Sequence, residues 1–276
     1  MEIQATENRF KLSIIGSLGM IILYFIVISN IISLPFAFII EIPYIKRQEG
    51  LHAAITVLGS LIPYVITIMI LLKRIRKKHK VNFKISFIKT FNLKLLLTTI
   101  ILFIGYFLWY QSSIGILTNK IPLPQFIEQA FSQMAINPYS QFILAIIIAP
   151  VFEEIMMRGI ILEGLLNKYK PVTAIITSSL IFGLIHLNIP QLINAALLGL
   201  ILGVIYYKTR SLILCIFAHA TNNLIGLGLS YTSFSPSIIS FFIGAVIFIL
   251  SGIFLIKGIK QFSCYEFHVA YVKFKD

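Results

Sequence analysis

Charge is what this 276-residue sequence has least of. Lys, Arg, Asp and Glu make up 12% of it, against about 25% in a soluble globular domain, whereas hydrophobic residues make up 58% and mean hydropathy is +0.93. That balance excludes a water-soluble fold. Acidic side chains are especially scarce, 10 against 23 Lys and Arg, so the formal net charge is +13. Gly (16) and Pro (10) stay at ordinary levels, which excludes a collagen-like or disordered chain. The two cysteines, Cys215 and Cys264, form no CxxC or zinc-type pattern, so neither a disulfide framework nor a thiolate metal site is expected. No HExxH motif, internal repeat or low-complexity tract is present.

What is present is a series of long apolar runs, near 12–40, 51–72, 95–117, 140–163, 172–188, 191–207, 211–229 and 237–256. A helical crossing takes about 20 apolar residues. The expected fold is therefore all-α, a polytopic membrane bundle of about eight transmembrane helices. Pro35 interrupts the first run, which predicts a tilt, a kink or an interfacial end there. That run is too long for a signal-peptide core and lacks a small-residue cleavage site, so it is read as part of the mature protein.

Assigning loops to alternate sides puts 20 of the 23 Lys and Arg on one side, Arg158 among them, and only Lys46, Arg47 and Lys120 on the other. The positive-inside rule then places both termini in the cytoplasm. The same topology accounts for the net charge without nucleic acid, because the basic residues are not interleaved with aromatics as on a nucleic-acid surface. No nucleic-acid partner is expected. The stretch 73–94 is the most basic, with Val81, Phe83, Ile85, Phe87 and Ile88 alternating among the charges. It reads either as an amphipathic element on anionic headgroups or as a solvated loop that anchors topology.

Ionisable groups inside spans cost about 2.5–3.5 kcal/mol each at a helix centre, so those present mark candidate sites. They are Glu153, Glu154, Arg158 and Glu163 in the fourth run, His186 ending the fifth, and His219 in the seventh with Asn222 and Asn223 beside it; His52 opens the second at its outer edge. Glu154 and Arg158 are four apart and share a helix face, which allows an ion pair. Glu153 points about 100° away and stays free. Burial disfavours the charged form of an unpaired carboxylate, a property suited to a general base. The alternative is an ion pair that only fixes helix packing.

Phe182 and His186, and His219 and Asn223, are again four apart, so each pair shares a face. Counted from the turn at Lys168–Lys170, Glu153 and His186 lie at about 22–24 Å along antiparallel helices, so their side chains are expected to meet. An imidazole and a carboxamide on one face of the seventh run offer fixed donors to a developing oxyanion. Interhelical hydrogen bonding would explain each polar residue singly.

Glu153-Glu154-x-x-x-Arg158, Phe182-x-x-x-His186 and His219-x-x-x-Asn223, in that order on successive buried helices, resemble the CPBP (Abi) family of intramembrane proteases. That family includes CAAX prenyl endopeptidases and bacterial bacteriocin-processing and self-immunity proteins. The resemblance covers about residues 140–230, giving an expected division into N-terminal helices (1–139), catalytic core (140–230), and last helix with cytoplasmic tail (231–276). It implies that Glu153, with His186, activates a water for attack on a peptide carbonyl. It further implies that His219 and Asn223 stabilise the oxyanion and that Glu154 with Arg158 holds the site in place.

No cofactor is expected on this reading, although Glu153, His186 and His219 could supply three zinc ligands with water as the fourth. The expected partners are the lipid bilayer and a peptide or membrane-protein substrate, entering from the cytoplasmic side or laterally from lipid. A non-catalytic self-immunity or scaffold protein is the alternative function. A transporter using the buried groups as an ion relay is a third, against which no inverted repeat stands out.

Overall fold

The computed structural model describes residues 10–79, 85, 87, 93–135, 137–232 and 234–273, with side chains as far as residue 259. Most of the basic stretch 73–94 beyond His79, including Lys80, Val81, Phe83, Lys84, Ile88 and Lys89, lies outside the described residues, as does the side chain of Cys264.

The described residues fold as an all-α polytopic bundle and include no strand. Its longer helices are α1 (Ile14–Ile40), α2 (Glu49–His79), α3 (Leu93–Gln111), α4 (Gln125–Ala135), α5 (138–166), α6 (Pro171–Leu184), α7 (Ile189–Thr209), α8 (Leu212–Ser230) and α9 (Ile238–Lys273), with single turns at Pro43–Lys46 and Ile114–Thr118. Six are long and apolar enough to cross a membrane: α1, α2, α3, α7, α8 and α9 as far as Ile259. The chain is thus a multi-pass membrane protein. Of the other two expected spans, α5 is interrupted by wide turns and α6 has 14 residues. Such a helix is about 21 Å long, short of a hydrocarbon core of about 30 Å.

Several expected boundaries move for identifiable reasons. The first run does not break at Pro35, which lies inside a continuous helix, and a π-helical stretch, Ile21–Ile28, precedes it. The third span ends at Gln111 rather than 117, because Ser113 leaves helical geometry (φ −134°, ψ −98°) before a separate turn, Ile114–Thr118. The fifth ends at Leu184 rather than 188. Leu187 adopts φ 57°, and Asn188 turns the chain into α7 by accepting from Gln191 N at 2.9 Å. Arg158, counted above with the cytoplasmic charges, is 1% exposed inside the bundle.

Close helix contacts depend on small residues, as expected where lipid offers no hydrophobic drive for association. Gly183, Gly199 and Gly203 bring α6 and α7 together as a hairpin, Gly199 against Ser179 and Gly203 against Ile175. Gly105 and Gly244 do the same for α3 and α9. A Cβ on Gly244 would lie 2.4 Å from the Trp109 backbone nitrogen, which has no side-chain freedom to move aside. Gly244→Ala is therefore expected to cost about 1–3 kcal/mol by overpacking. Gly228→Ala, with nothing within 4 Å of the added carbon, should cost nothing. Thermal unfolding of the two variants in detergent checks the contrast.

One end of the bundle is closed by chain from outside α5. Phe10 and Leu12 are buried against Gly164, Leu12 N donates to Gly164 O at 2.9 Å, and Asn167 Nδ2 donates to Phe10 O at 3.0 Å. Phe10 also meets His79 edge to face at 5.1 Å. Nearby, Ile85 packs over Gly159, and Ile213 N at the start of α8 donates to Phe87 O at 3.0 Å. Glu163 pairs with Arg210 and accepts from Tyr206 at 3.2 Å, tying α5 to the α7–α8 turn.

Candidate active site

The site is built on the middle of α5, where a regular segment, Ala149–Glu154, lies between two π-helical stretches, Ile143–Ile148 and Ile155–Leu162. Wide turns of this kind are rare and concentrate at functional sites. Pro150 gives the first one a consequence. In that register Ala149 N bonds to Leu144 O, five residues back, so the next donor would bond to Ala145 O. Residue 150 is proline and has no N–H. The freed Ala145 carbonyl accepts instead from Asn223 Nδ2 of α8 at 2.9 Å, a neighbouring helix completing what proline leaves undone.

Glu154 and Arg158 pair as their spacing predicts. Glu154 Oε1 accepts from Arg158 Nη1 at 2.8 Å, and both side chains are buried. The same oxygen accepts from His219 Nδ1 at 2.9 Å, which fixes the α8 imidazole by its inner nitrogen. Its outer nitrogen, Nε2, faces Glu153 Oε2 at 3.8 Å. That separation is too long for a direct hydrogen bond and close enough for one small oxygen to touch both atoms. Glu153 keeps 15% of its side chain exposed, whereas Glu154 keeps none.

Arg158 completes the cluster. Its Nη2 donates to Gly199 O of α7 at 3.2 Å, and its guanidinium lies 4.8 Å over the Phe182 ring of α6, a cation–π contact strengthened by burial. Phe182 in turn meets both imidazoles edge to face, His186 at 5.3 Å and His219 at 5.7 Å. His186 Nδ1 donates to Phe182 O at 2.9 Å, which leaves Nε2 free for chemistry.

The structure brings Glu153, Glu154, Arg158 and His219 into one cluster and seats His186 beside it across Phe182. It gives His186 no hydrogen bond or ion pair to Glu153, contrary to the depth argument, because α6 stops at Leu184 and the histidine sits in the following turn. The imidazole closest to Glu153 is His219. Asn223 lies one turn beyond His219 with one amide hydrogen committed to Ala145. Among the described residues no group of three or more His, Cys, Asp and Glu is placed so that it could hold a metal ion.

Two participants, Gly199 and Tyr64, were not singled out from the sequence, and Phe182, singled out there beside His186, has a second role. Gly199 supplies a carbonyl to Arg158, and its only signal is the Gly199-x-x-x-Gly203 spacing. Phe182 acts as a platform for Arg158 as well as a partner of His186. Tyr64 of α2 stacks on Phe152 at 5.3 Å, immediately before Glu153, and on Phe25 of α1 at 5.6 Å.

Comparison with known proteins agrees with the motif-based resemblance. Residues 135–225, about a third of the chain, match the family described as type II CAAX prenyl endopeptidase Rce1-like. Two bacterial proteins are similar over parts of their length. "Putative membrane peptidase YdiL" of Bacillus subtilis is 33% identical over 81 residues, 29% of this chain and 33% of that one. "UPF0177 protein YaiH" of Lactococcus lactis is 35% identical over 133 residues, 47% of this chain and 53% of that one. The chain thus spans between a third and about half the length of these relatives. No solved structure matches. The family match and the peptidase name support a membrane protease, in keeping with the CPBP motifs on α5, α6 and α8.

Proposed function

We propose that the protein is an intramembrane endopeptidase of CPBP type that hydrolyses a peptide bond with water activated by Glu153. The observation that carries this reading is His219, held by Glu154 through Nδ1 and facing Glu153 with Nε2. A carboxylate and an imidazole disposed about one small space form the minimal apparatus for general-base hydrolysis.

In the proposed sequence, Glu153 takes a proton from water as its oxygen attacks the carbonyl carbon. The carbonyl π pair moves to oxygen, where the second amide hydrogen of Asn223 donates to the oxyanion, joined by His219 Nε2–H when the ring is the imidazolium, since Nδ1–H is held by Glu154. Collapse breaks the C–N bond as a proton passes to the leaving nitrogen, giving a carboxylic acid and an amine. His186, with Nδ1 held by the Phe182 carbonyl, presents Nε2 to the attacking water or the departing amine. Glu154 and Arg158 position His219 and touch no substrate. The substrate is a peptide or membrane-associated protein, the membrane a bacterial plasma membrane, and the mechanism uses no metal.

The test is cleavage of a quenched peptide panel by purified protein, with and without a chelator. Chelator-resistant cleavage that falls at least about 10²-fold in His186→Ala supports the reading, since a positioned acid or base contributes about that much or more. Activity lost to chelator and restored by zinc overturns the metal-free mechanism. A fully active His186→Ala protein removes that residue from the chemistry.

A further inference from the structure

Helix α1 packs chiefly on one neighbour, α2. Ser17, Ile21, Tyr24 and Ser29 turn inward and are buried, Phe25 stacks on Tyr64 at 5.6 Å, and Phe36 fills the space beside Gly59. The opposite side is bare. Leu23, Val27, Leu34 and Phe38 are 42–72% exposed and, with exposed Gly19 and Asn30, form a line at intervals of three and four, which is one face of a helix.

On a membrane-spanning helix such a face meets lipid, and all of these residues suit lipid except Asn30. It lies within about 5 Å of the middle of the 27-residue helix, too deep for its short side chain to reach either interface. One amide hydrogen is satisfied within α1, where Nδ2 donates to Ile26 O at 2.6 Å. Among the described residues, Oδ1 and the second amide hydrogen have no partner. Hydrocarbon offers them none, and polar side chains at this depth are found paired across helices or lining water. Pro35 adds to the imbalance. It has no N–H for the carbonyl of Ile31, four residues back, and Ile31 is 60% exposed beside Asn30.

We infer that Asn30 marks an interface at which α1 packs against α1 of a second copy of this chain. Symmetry selects the second copy. Copies inserted in one orientation pair about a twofold axis along the membrane normal, so a face that meets its own equivalent sets residue 30 against residue 30 at a single depth. A carboxamide is both donor and acceptor. Each Asn30 then gives its free amide hydrogen to Oδ1 of the other copy and receives one in return, whereas an unrelated helix would need a matching donor and acceptor at that depth. In coiled coils a single asparagine in the seam fixes pairing in this way. Leu23, Val27 and Leu34 supply apolar packing around the pair. Gly19, with nothing within 4 Å of an added Cβ, lets the backbones approach toward the Ile14 end. The inference does not depend on the protease reading, since α1 carries none of the site's side chains.

The test uses the full chain in vesicles of phosphatidylcholine and phosphatidylglycerol. Lys168→Cys, in an exposed turn and made with Cys264→Ser, takes a donor or an acceptor dye, and buried Cys215 gives the background. Energy transfer is followed as lipid dilutes the protein. Asn30→Leu is expected to weaken association at least about 5-fold, the loss of hydrogen bonds of the strength found between membrane helices. Helix content by circular dichroism should not change, because the substitution faces lipid. Cross-linking locates the contact without relying on that variant. Val27→Cys and Leu34→Cys, each with Cys264→Ser, should form disulfide-linked dimers on mild oxidation, whereas Ile249→Cys and Phe254→Cys on the exposed side of α9 should not. Wild-type energy transfer no greater than random proximity gives, equal association of wild type and Asn30→Leu, or cross-linking through α9 as readily as through α1 overturns the inference. So does a cross-link from residue 27 or 34 in native membranes to a protein of another mass, which makes the occupant of this face a different chain.

Discussion

Glu153→Gln is expected to lower peptide cleavage by about 10²–10⁴-fold, the contribution of a positioned general base, while the protein still folds and inserts. The amide has the shape of the carboxylate and cannot take the proton of an attacking water. Stability should hold because Glu153 belongs to no buried pair: its nearest charged partner, His219 Nε2, is 3.8 Å away, and part of its side chain is exposed. Substitutions away from packed or paired groups usually stay within about 0.5 kcal/mol. The decisive comparison is turnover beside thermal unfolding of the same preparation. Turnover at the wild-type rate removes Glu153 from the chemistry, and loss of turnover together with loss of fold reassigns it to structure.

Arg158→Met is expected to show the opposite profile, a large loss of stability from a residue that touches no substrate. Removing one member of a buried ion pair strands the other, at a cost of about 3–5 kcal/mol. Here the stranded group is Glu154, fully enclosed, with Oε2 already lacking a partner among the described residues. Arg158→Lys should not restore the loss, because one ammonium cannot reach Glu154 and the Gly199 carbonyl in the planar fork that Arg158 uses, nor lie flat on Phe182. The double variant Glu154→Gln/Arg158→Met should recover much of it, since the isolated charge is gone. Thermal unfolding in detergent reads all three, and an Arg158→Met protein that melts with wild type refutes the argument.

What could be read in advance follows from where information about each contact resides in the chain. The Glu154–Arg158 pair and the Phe182–His186 contact lie within one helical turn, so spacing alone exposed them. The apolar runs marked the helices because length and composition are local. The Asn223–Ala145 bond was hidden, since it depends on a π-helical register and on the one donor that Pro150 lacks. The 3.6-residue period assumed for α5 gives no hint of either. Glu153 and His186 share no direct hydrogen bond or ion pair for a related reason: rise per residue predicts depth along a continuous helix, and α6 ends before the histidine.

The strap at Phe10–Leu12 also has consequences for how the protein is made. Leu12 and Gly164, joined by a backbone hydrogen bond, are separated by about 150 residues of chain. At synthesis rates of about 5–20 residues per second, roughly 8–30 s pass between the appearance of the first and that of the second. During that interval α1 is in the membrane with its preceding segment unanchored, and the aromatic ring of Phe10 has no Gly164 to cover. Glu153, Glu154 and Arg158 of α5 therefore leave the ribosome before the N-terminal cover can seat, and closure of this end cannot precede the synthesis of Gly164, an order set by the chain rather than by the strength of the contact.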